Sequence, residues 1–381
     1  MIYLDNNATT PPDPLVREAM LPYLGEKFGN PSSPHAFGRA AKAAVERARG
    51  QVGFLLGAPP DAVVFTGGGT ESINTAVRGA LAAQPGKRHI VTTAIEHSAT
   101  KVLCEQLARE GCEVTWLAVD QAGQPDQTDY LKSLRPDTAI VTVVWANNET
   151  GVLLPIEAMA RAADERRVVF HADAVQAVGK IPVDLRKVPV HLLSAAAHKF
   201  HGPKGTGVLF VRPGLGLPPL ILGGDQERGR RSGTENVAGI VGMGAAAELA
   251  GAALETGMPR VAAMRDAFEA GVRERFAGVR FHGDQGPRLP NTSNFALPGL
   301  PSRDLLAVLD HLGVACSIGS ACSSGAPDAS HVLRAMGVLE EEAKSSLRFS
   351  FSRMNTPADA GGALSALSEA IRRMASGAPG D

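Results

Sequence analysis

The sequence predicts an α/β fold: a large domain over residues 15–254 with a mostly parallel sheet sandwiched by helices, and a smaller α+β domain from residues 1–14 and 255–381. Three observations predict it. Strand-like and helix-like stretches alternate from Ala62 to Val211, the pattern of a parallel sheet covered on both faces. Two of the strand candidates, Val168-Val169-Phe170 and Val190 to Ala197, are short, nearly continuous apolar runs, which suit fully buried parallel strands. The chain's 381 residues exceed the size at which a single core keeps growing, and the pattern changes after Pro213, so a break is placed within Ala250 to Pro259.

Taken in order, Asp5-Asn6-Asn7-Ala8-Thr9-Thr10-Pro11-Pro12 is a dense polar segment, either an ordered loop or a capped N-terminal stretch. Asn30-Pro31-Ser32-Ser33-Pro34 predicts a turn whose Ser33 caps a helix with Pro34 at its first position, running to about Leu56. Ala62 to Phe65 reads as a strand, Thr66-Gly67-Gly68-Gly69-Thr70-Glu71-Ser72 as a glycine loop, and Ile73 to Leu81 as a helix. Strand, glycine loop and helix together expose backbone N–H groups to a phosphate. The spacing is neither G-x-G-x-x-G nor G-x-x-x-x-G-K-[ST], so dinucleotide and P-loop readings fail, and a plain tight turn stays open. Ile90 to Thr93 is the next strand, delivering His97 before a helix from about Ala99 to Glu110; a histidine there caps or catalyses. Val114 to Val119 and Ile140 to Val144 are further strands, the second running into the polar turn Trp145 to Gly151, and Pro155 to Arg166 is a helix.

The apolar run at Val168 then delivers His171-Ala172-Asp173 with Gln176 beyond, and the run to Ala197 delivers His198-Lys199 before Gly202-Pro203-Lys204-Gly205. In an open α/β sheet, ligand chemistry gathers at the carboxyl ends of the strands. Asp173 and Lys199 would therefore emerge side by side. A lysine for a Schiff base and an acid opposite a pyridinium nitrogen make a pyridoxal phosphate site; a buried Asp–Lys ion pair is the other reading. Gly223 to Asn236 is polar, glycine-rich and cationic, either a solvated loop or one facing a phosphate or an interface. A helix-rich stretch from Val237 to Phe276 follows, then strand-like Thr292 to Leu297, Val314 to Ser317 and Leu347 to Ser352. Cys322 lies in the Gly/Ser-rich stretch Ser317 to Pro327, which makes it accessible and placed for reactivity, whereas Cys104, Cys112 and Cys316 read as packing residues.

Composition narrows the class. A hydrophobic fraction of 44% and a charged fraction of 20% are those of a globular protein. Net charge of −1 and no long basic run predict no nucleic-acid and no membrane-surface partner. Met1-Ile2-Tyr3-Leu4-Asp5 has no basic or apolar leader pattern, and the apolar stretch Val237 to Leu254 is interrupted by Glu248, so a cytoplasmic protein is expected. Four cysteines without a C-x-x-C pair predict neither a disulfide framework nor a zinc site, and no other metal site is expected.

These pieces resemble the cysteine desulfurases of the NifS/IscS type, fold-type I pyridoxal phosphate enzymes of the class V aminotransferase superfamily. The resemblance spans almost the whole chain. It is carried by Tyr3 to Thr10, Thr70-Glu71-Ser72, Glu96-His97, Asn147 to Gly151, Asp173 with Gln176, His198-Lys199 with Gly202 to Gly205, Arg231 to Asn236, Gly319-Ser320-Ala321-Cys322 and Leu347 to Ser350. The segment to Ser330-His331-Val332-Leu333 resembles the iron–sulfur-cluster group with the longer cysteine loop.

The resemblance implies a role for each position. Lys199 carries the cofactor, Asp173 partners the pyridinium nitrogen, Gln176 donates to the ring hydroxyl, and His97 stacks on the ring and assists proton transfer. Thr70, the backbone at Gly69, and His198 hold the phosphate. Thr234 reaches the phosphate of the other subunit, which implies a homodimer with shared active sites. Asn148 and Arg348 hold the substrate carboxylate, which a guanidinium fork suits. Cys322 takes sulfur from L-cysteine as a persulfide, leaving L-alanine, and passes it to an acceptor protein, an iron–sulfur scaffold or a thiolation factor. Two positions depart from the family pattern. Ala196 stands where a serine is usual, which predicts one missing phosphate hydrogen bond unless water or Ser194 substitutes, and Ile318 replaces a common serine in the cysteine loop. A selenocysteine lyase, a class V aminotransferase without the reactive cysteine, a non-catalytic sulfur-transfer scaffold and a nucleotide binder are the competing readings.

Overall fold

The structure is a computed structural model and describes residues 1–318 and 329–376. Seven strands form the main sheet in the order Val63–Thr66, Gly207–Val211, Leu192–Ala196, Val169–Asp173, Thr138–Val144, His89–Thr93, Glu113–Leu117. The five from Leu192–Ala196 to Glu113–Leu117 run parallel, and Gly207–Val211 is antiparallel to both neighbours. All but the edge strand Glu113–Leu117 are buried along their whole length, as their continuous apolar sequences require.

Alternate residues of these strands feed two cores. Ile73, Ala76, Leu103 and Leu107 from the helices Gly69–Ala82 and Ser98–Arg109 pack on one face against Val64, Ile90, Ile140 and Leu209. On the other, Val45, Val52 and Leu56 of Ala36–Leu56 meet Ile156 and Met159 of Ile156–Glu165, Ile240 and Met243, and the strand residues Phe65, Val141 and Phe170. Polar side chains inside the sheet are paired across strands. His171 meets Thr142 Oγ1 through Nδ1 and Ser194 Oγ through Nε2, both at 2.8 Å. Burial pushes this imidazole down to about 3, so it is neutral.

A third core gathers Leu4, Phe268, Phe295, Phe349, Phe351 and Leu367. It lies beside a three-stranded antiparallel sheet ordered Ser346–Ser350, Thr292–Ala296, Arg280–Phe281. The Phe268 ring sits 4.9 Å from Phe349 and 5.7 Å from Phe351. The N-terminal Ile2–Tyr3 pairs parallel with Val314–Ala315, which brings the polar segment 5–10 between this core and the main sheet.

The helix Val237–Arg275 is continuous through residues 250–259, with Pro259 inside it. It is long and apolar enough to cross a membrane by length and composition. Its apolar residues, however, are core residues: Ile240, Met243 and Ala247 pack on the main sheet, Val261, Phe268 and Val272 in the third core.

Strand ends differ from the sequence reading by a residue or two, and two helix starts differ in kind. The helix after the glycine loop begins at Gly69, so Gly69, Thr70 and Glu71 are its first turn. The helix over 36–56 is capped by His35, whose Nδ1 accepts from Gly38 N at 3.3 Å. Ser33 instead lies in the turn before it, its N–H bonded to the Asn30 carbonyl at 3.0 Å.

Candidate active site

The carboxyl ends of the strands converge on one cavity of about 640 Å³, its mouth included. Asp173 ends its strand, and Lys199 closes the single 3-10 turn Ala197–Lys199 after the neighbouring strand. His97 is the N-cap of Ser98–Arg109. Asn148 follows the strand Thr138–Val144, and Gly69 and Thr70 open a helix after Val63–Thr66. The cavity wall therefore includes Gly69, Thr70, His97, Asn148, Asp173, Gln176, His198 and Lys199.

Asp173 is buried, and its Oδ1 accepts from Val175 N at 3.0 Å. Burial pushes its carboxyl up, while His97, that N–H and Lys199 pull it down. A cation set against a buried carboxyl holds it ionised. His97 Nδ1 accepts from Ala99 N at 3.1 Å, so in the neutral ring the proton sits on Nε2. Burial, with Lys199 and His331 nearby, lowers its basicity against the pull of Asp173.

Lys199 Nζ donates to the backbone carbonyls of Asn7 at 2.6 Å and Ala8 at 2.9 Å. Gln176 Nε2 donates to the same Asn7 carbonyl at 2.9 Å. The polar N-terminal segment is thus a wall for Lys199.

The helix Gly69–Ala82 has no side-chain cap at Gly68. Its first-turn N–H groups and Thr70 are donors that could hold an anion. A Cβ at Gly69 would lie 2.8 Å from Val175 Cγ2, so nothing larger than glycine fits without displacing that side chain. His198 is pushed down to about 4 by burial and by Lys199, Lys204 and Lys180. Its Nδ1 faces the Thr9 hydroxyl at 3.1 Å. Ala196 also lines the cavity, its Cβ 3.8 Å from where a Cβ at Gly69 would sit. Ser194 does not substitute for the missing hydroxyl, because its Oγ is bonded to His171.

Two predicted residues lie elsewhere. Arg348 is buried beside the cavity, its two terminal nitrogens donating to Asn148 O at 3.0 Å and Asp5 Oδ1 at 2.6 Å, with Nε unpartnered. Thr234 lines a separate cavity with Gly67, Thr206 and Arg231. Cys322 lies outside the described residues. Ile318, just before it, packs against the third core.

Sequence reasoning singled out none of Asn7, Lys180, Glu96 or Glu149 individually. The side chain of Asn7 bonds Lys180, Asn291, Thr292 and Asn148. Glu96 Oε1 accepts from Thr93 Oγ1 at 2.5 Å and Val144 N at 3.0 Å. Glu149 accepts from Ser330 Oγ at 2.5 Å. The available signals were the density of polar residues after Asp5 and a lysine inside the apolar run Ala177 to Ile181.

Residues 2–361 match the family model for class-V aminotransferases. A cysteine desulfurase of Gluconacetobacter diazotrophicus is 49% identical over 94% of this chain and 90% of its own. A solved structure of a NifS-like protein superposes with a TM-score of 0.91 at 36% identity, covering 97% of this chain and 99% of that one. A second, SspA in complex with cysteine, has a TM-score of 0.83 at 33% identity, covering 93% of this chain and 100% of that one. The chain belongs to the class-V aminotransferase family and, within it, to the NifS-like cysteine desulfurases.

Proposed function

We propose that this chain binds pyridoxal phosphate through Lys199, removes sulfur from L-cysteine to give L-alanine and a persulfide on Cys322, and delivers that sulfur to an acceptor protein. The observation that carries the reading is the convergence of Lys199, Asp173 and His97 on one cavity whose wall includes an uncapped helix N-terminus. That donor set fits the cofactor: an amine for its aldehyde, a carboxylate for its ring nitrogen, Gln176 for its ring hydroxyl, and amide N–H groups with Thr70 and His198 for its phosphate. Bound there, the group supplies an electron sink for the pair left by a departing α-proton.

The chain's own residues do the rest. Lys199, as a free amine beside the bound substrate, would take the α-proton. Asp173, buried beside His97 and Lys199, would accept from the ring nitrogen and so favour its protonated form. His97, with its proton on Nε2, is a donor at that carbon's side of the cavity. Arg348 and Asn148, already bonded to each other, orient the substrate carboxylate. The Cys322 thiolate attacks the substrate sulfur; the S–S bond forms as the Cβ–S bond breaks, and the carbon takes back the electron pair and a proton. Thr234 acts at the phosphate of a second copy, so the working unit is a homodimer. The cytoplasm is its compartment, and iron–sulfur assembly or thiolation of transfer RNA or other cofactors is its outlet.

The test pairs the protein with its Cys322→Ala variant, supplied with pyridoxal phosphate, L-cysteine and a reductant. Equal amounts of sulfide and alanine, lost in the variant while the visible absorption of bound cofactor persists, are expected. Undiminished sulfide from Cys322→Ala would remove that residue from the reaction, and absence of bound cofactor would return the chain to the scaffold reading.

A further inference from the structure

Lys180 is a buried lysine that the reaction above does not use. It follows Gln176 by four residues in a run of turns that passes through Gly179 at positive φ, and this path brings the two side chains into contact. Its Nζ donates to Gln176 Oε1 and, at 3.1 Å, to Asn7 Oδ1. Both acceptors are amide oxygens. The charged groups that bear on it are Lys199 from the 3-10 turn and Arg348 from the second sheet, both cations. Gln176 Nε2 in turn shares the Asn7 carbonyl with Lys199 Nζ. Lys180, Gln176, Asn7 and Lys199 are thus linked by one connected set of hydrogen bonds.

We infer that Lys180 is a positioning residue of this site, which turns the Gln176 amide so that its NH2 faces the cavity side and clamps the Asn7 segment that receives Lys199. An amide can be flipped by half a turn at little cost unless something distinguishes its two ends. A donor on Oε1 does that, because the flipped amide would set NH2 against NH. Burial and the two cations favour the uncharged amine, which has two N–H groups for its two acceptors. Such a group positions Gln176 without placing a competing charge beside Lys199.

The inference rests on the cofactor reading proposed above, and its test separates the two. Protein supplied with pyridoxal phosphate is compared by visible absorption as Lys180→Met, Lys180→Gln, Gln176→Leu and the Met/Leu double variant. Lys180→Met is expected to displace the absorption maximum in the same direction as Gln176→Leu. The double variant should move it no further, because Lys180 acts through Gln176. Lys180→Gln, which keeps an NH2 group, should stay near the unsubstituted protein. The kcat of Lys180→Met should fall about tenfold with KM little changed. A lowered Tm with an unmoved spectrum would make Lys180 a packing residue and overturn the inference, as would additive displacements. Should Lys180→Met not fold, Lys180→Gln decides alone: a spectrum displaced as far as that of Gln176→Leu overturns it. No visible band in the unsubstituted protein would instead sink the cofactor reading itself.

Discussion

At residue scale, Ala196 has the clearest consequence. It ends a strand whose side chains alternate between faces, so it and Ser194 point the same way. Ser194 is held by His171, and Ala196 faces the helix start at Gly69 with a methyl group. Ala196→Ser would therefore add a hydroxyl where the phosphate is proposed to sit. A hydrogen bond to a charged group contributes roughly 1.5–3 kcal/mol, so affinity for pyridoxal phosphate should rise by about tenfold or more. Equilibrium titration of the apoprotein reads this directly; an unchanged Kd would mean that the phosphate is held away from Ala196. The departure was legible in the sequence because it broke a known pattern. Lys180 was legible only as a lysine in an apolar run, because nothing in Val178-Gly179-Lys180-Ile181 says which groups its amine meets.

At the scale of elements, the strands were the most legible part of the chain. Continuous apolar runs have one comfortable place, the interior of a parallel sheet, and Asp173 and Lys199 follow from it as neighbours. Helix starts were less legible, since a cap depends on which side chain turns back to the first free N–H. Ser33 and His35 both have an acceptor, and only the path of the turn selects His35. The segment between the His89–Thr93 strand and the next helix illustrates the same limit. Glu96 pins it to Thr138–Val144 through Val144 N and thereby fixes where His97 begins its helix. Burial raises Glu96 from 4.5 to about 8, with Asp173 adding to the shift. Between those values the folded protein keeps a proton that the unfolded chain has released, so stability falls as pH rises across that window. Glu96→Gln keeps an oxygen for both donors and has no proton to hold. The unsubstituted protein should lose up to ~1.4 kcal/mol per pH unit relative to this variant between about pH 5 and about pH 8. Urea unfolding of both at the two ends of the range measures it, and a constant difference would show that Glu96 is ionised in the fold.

At the scale of the whole molecule, the main sheet and the third core must be held in a fixed relation, because Asn148 and Lys199 come from one side and Arg348 from the other. Several contacts span the gap, Arg348 to Asn148 O and Asn294 to Glu149 O among them, and two devices do so through many residues or bonds. The helix Val237–Arg275 contributes to both cores, a continuity that Pro259 concealed in the sequence. The other is Asn7. Its side chain accepts from Lys180 at 3.1 Å and donates to Asn148 O at 3.1 Å on the sheet side. Toward the third core it accepts from Asn291 at 3.0 Å and donates to Thr292 Oγ1 at 2.9 Å. Asn7→Ala removes all four hydrogen bonds, yet every former partner keeps one other: Gln176 for Lys180, Phe351 O for Asn291, Arg348 for Asn148, and Asn291 Oδ1 for Thr292. The loss should therefore be moderate, about 2–4 kcal/mol, at roughly 1 kcal/mol per bond. Its distribution matters more than its size. Trp145 reports on the main-sheet core alone, whereas far-ultraviolet circular dichroism reports on both halves. In the unsubstituted protein the two urea transitions should coincide. In Asn7→Ala they should separate, because four of the bonds that tie the halves together are gone. Coincident transitions at lowered stability would assign the coupling to the shared helix and the remaining contacts, and Asn7 would then serve the site alone.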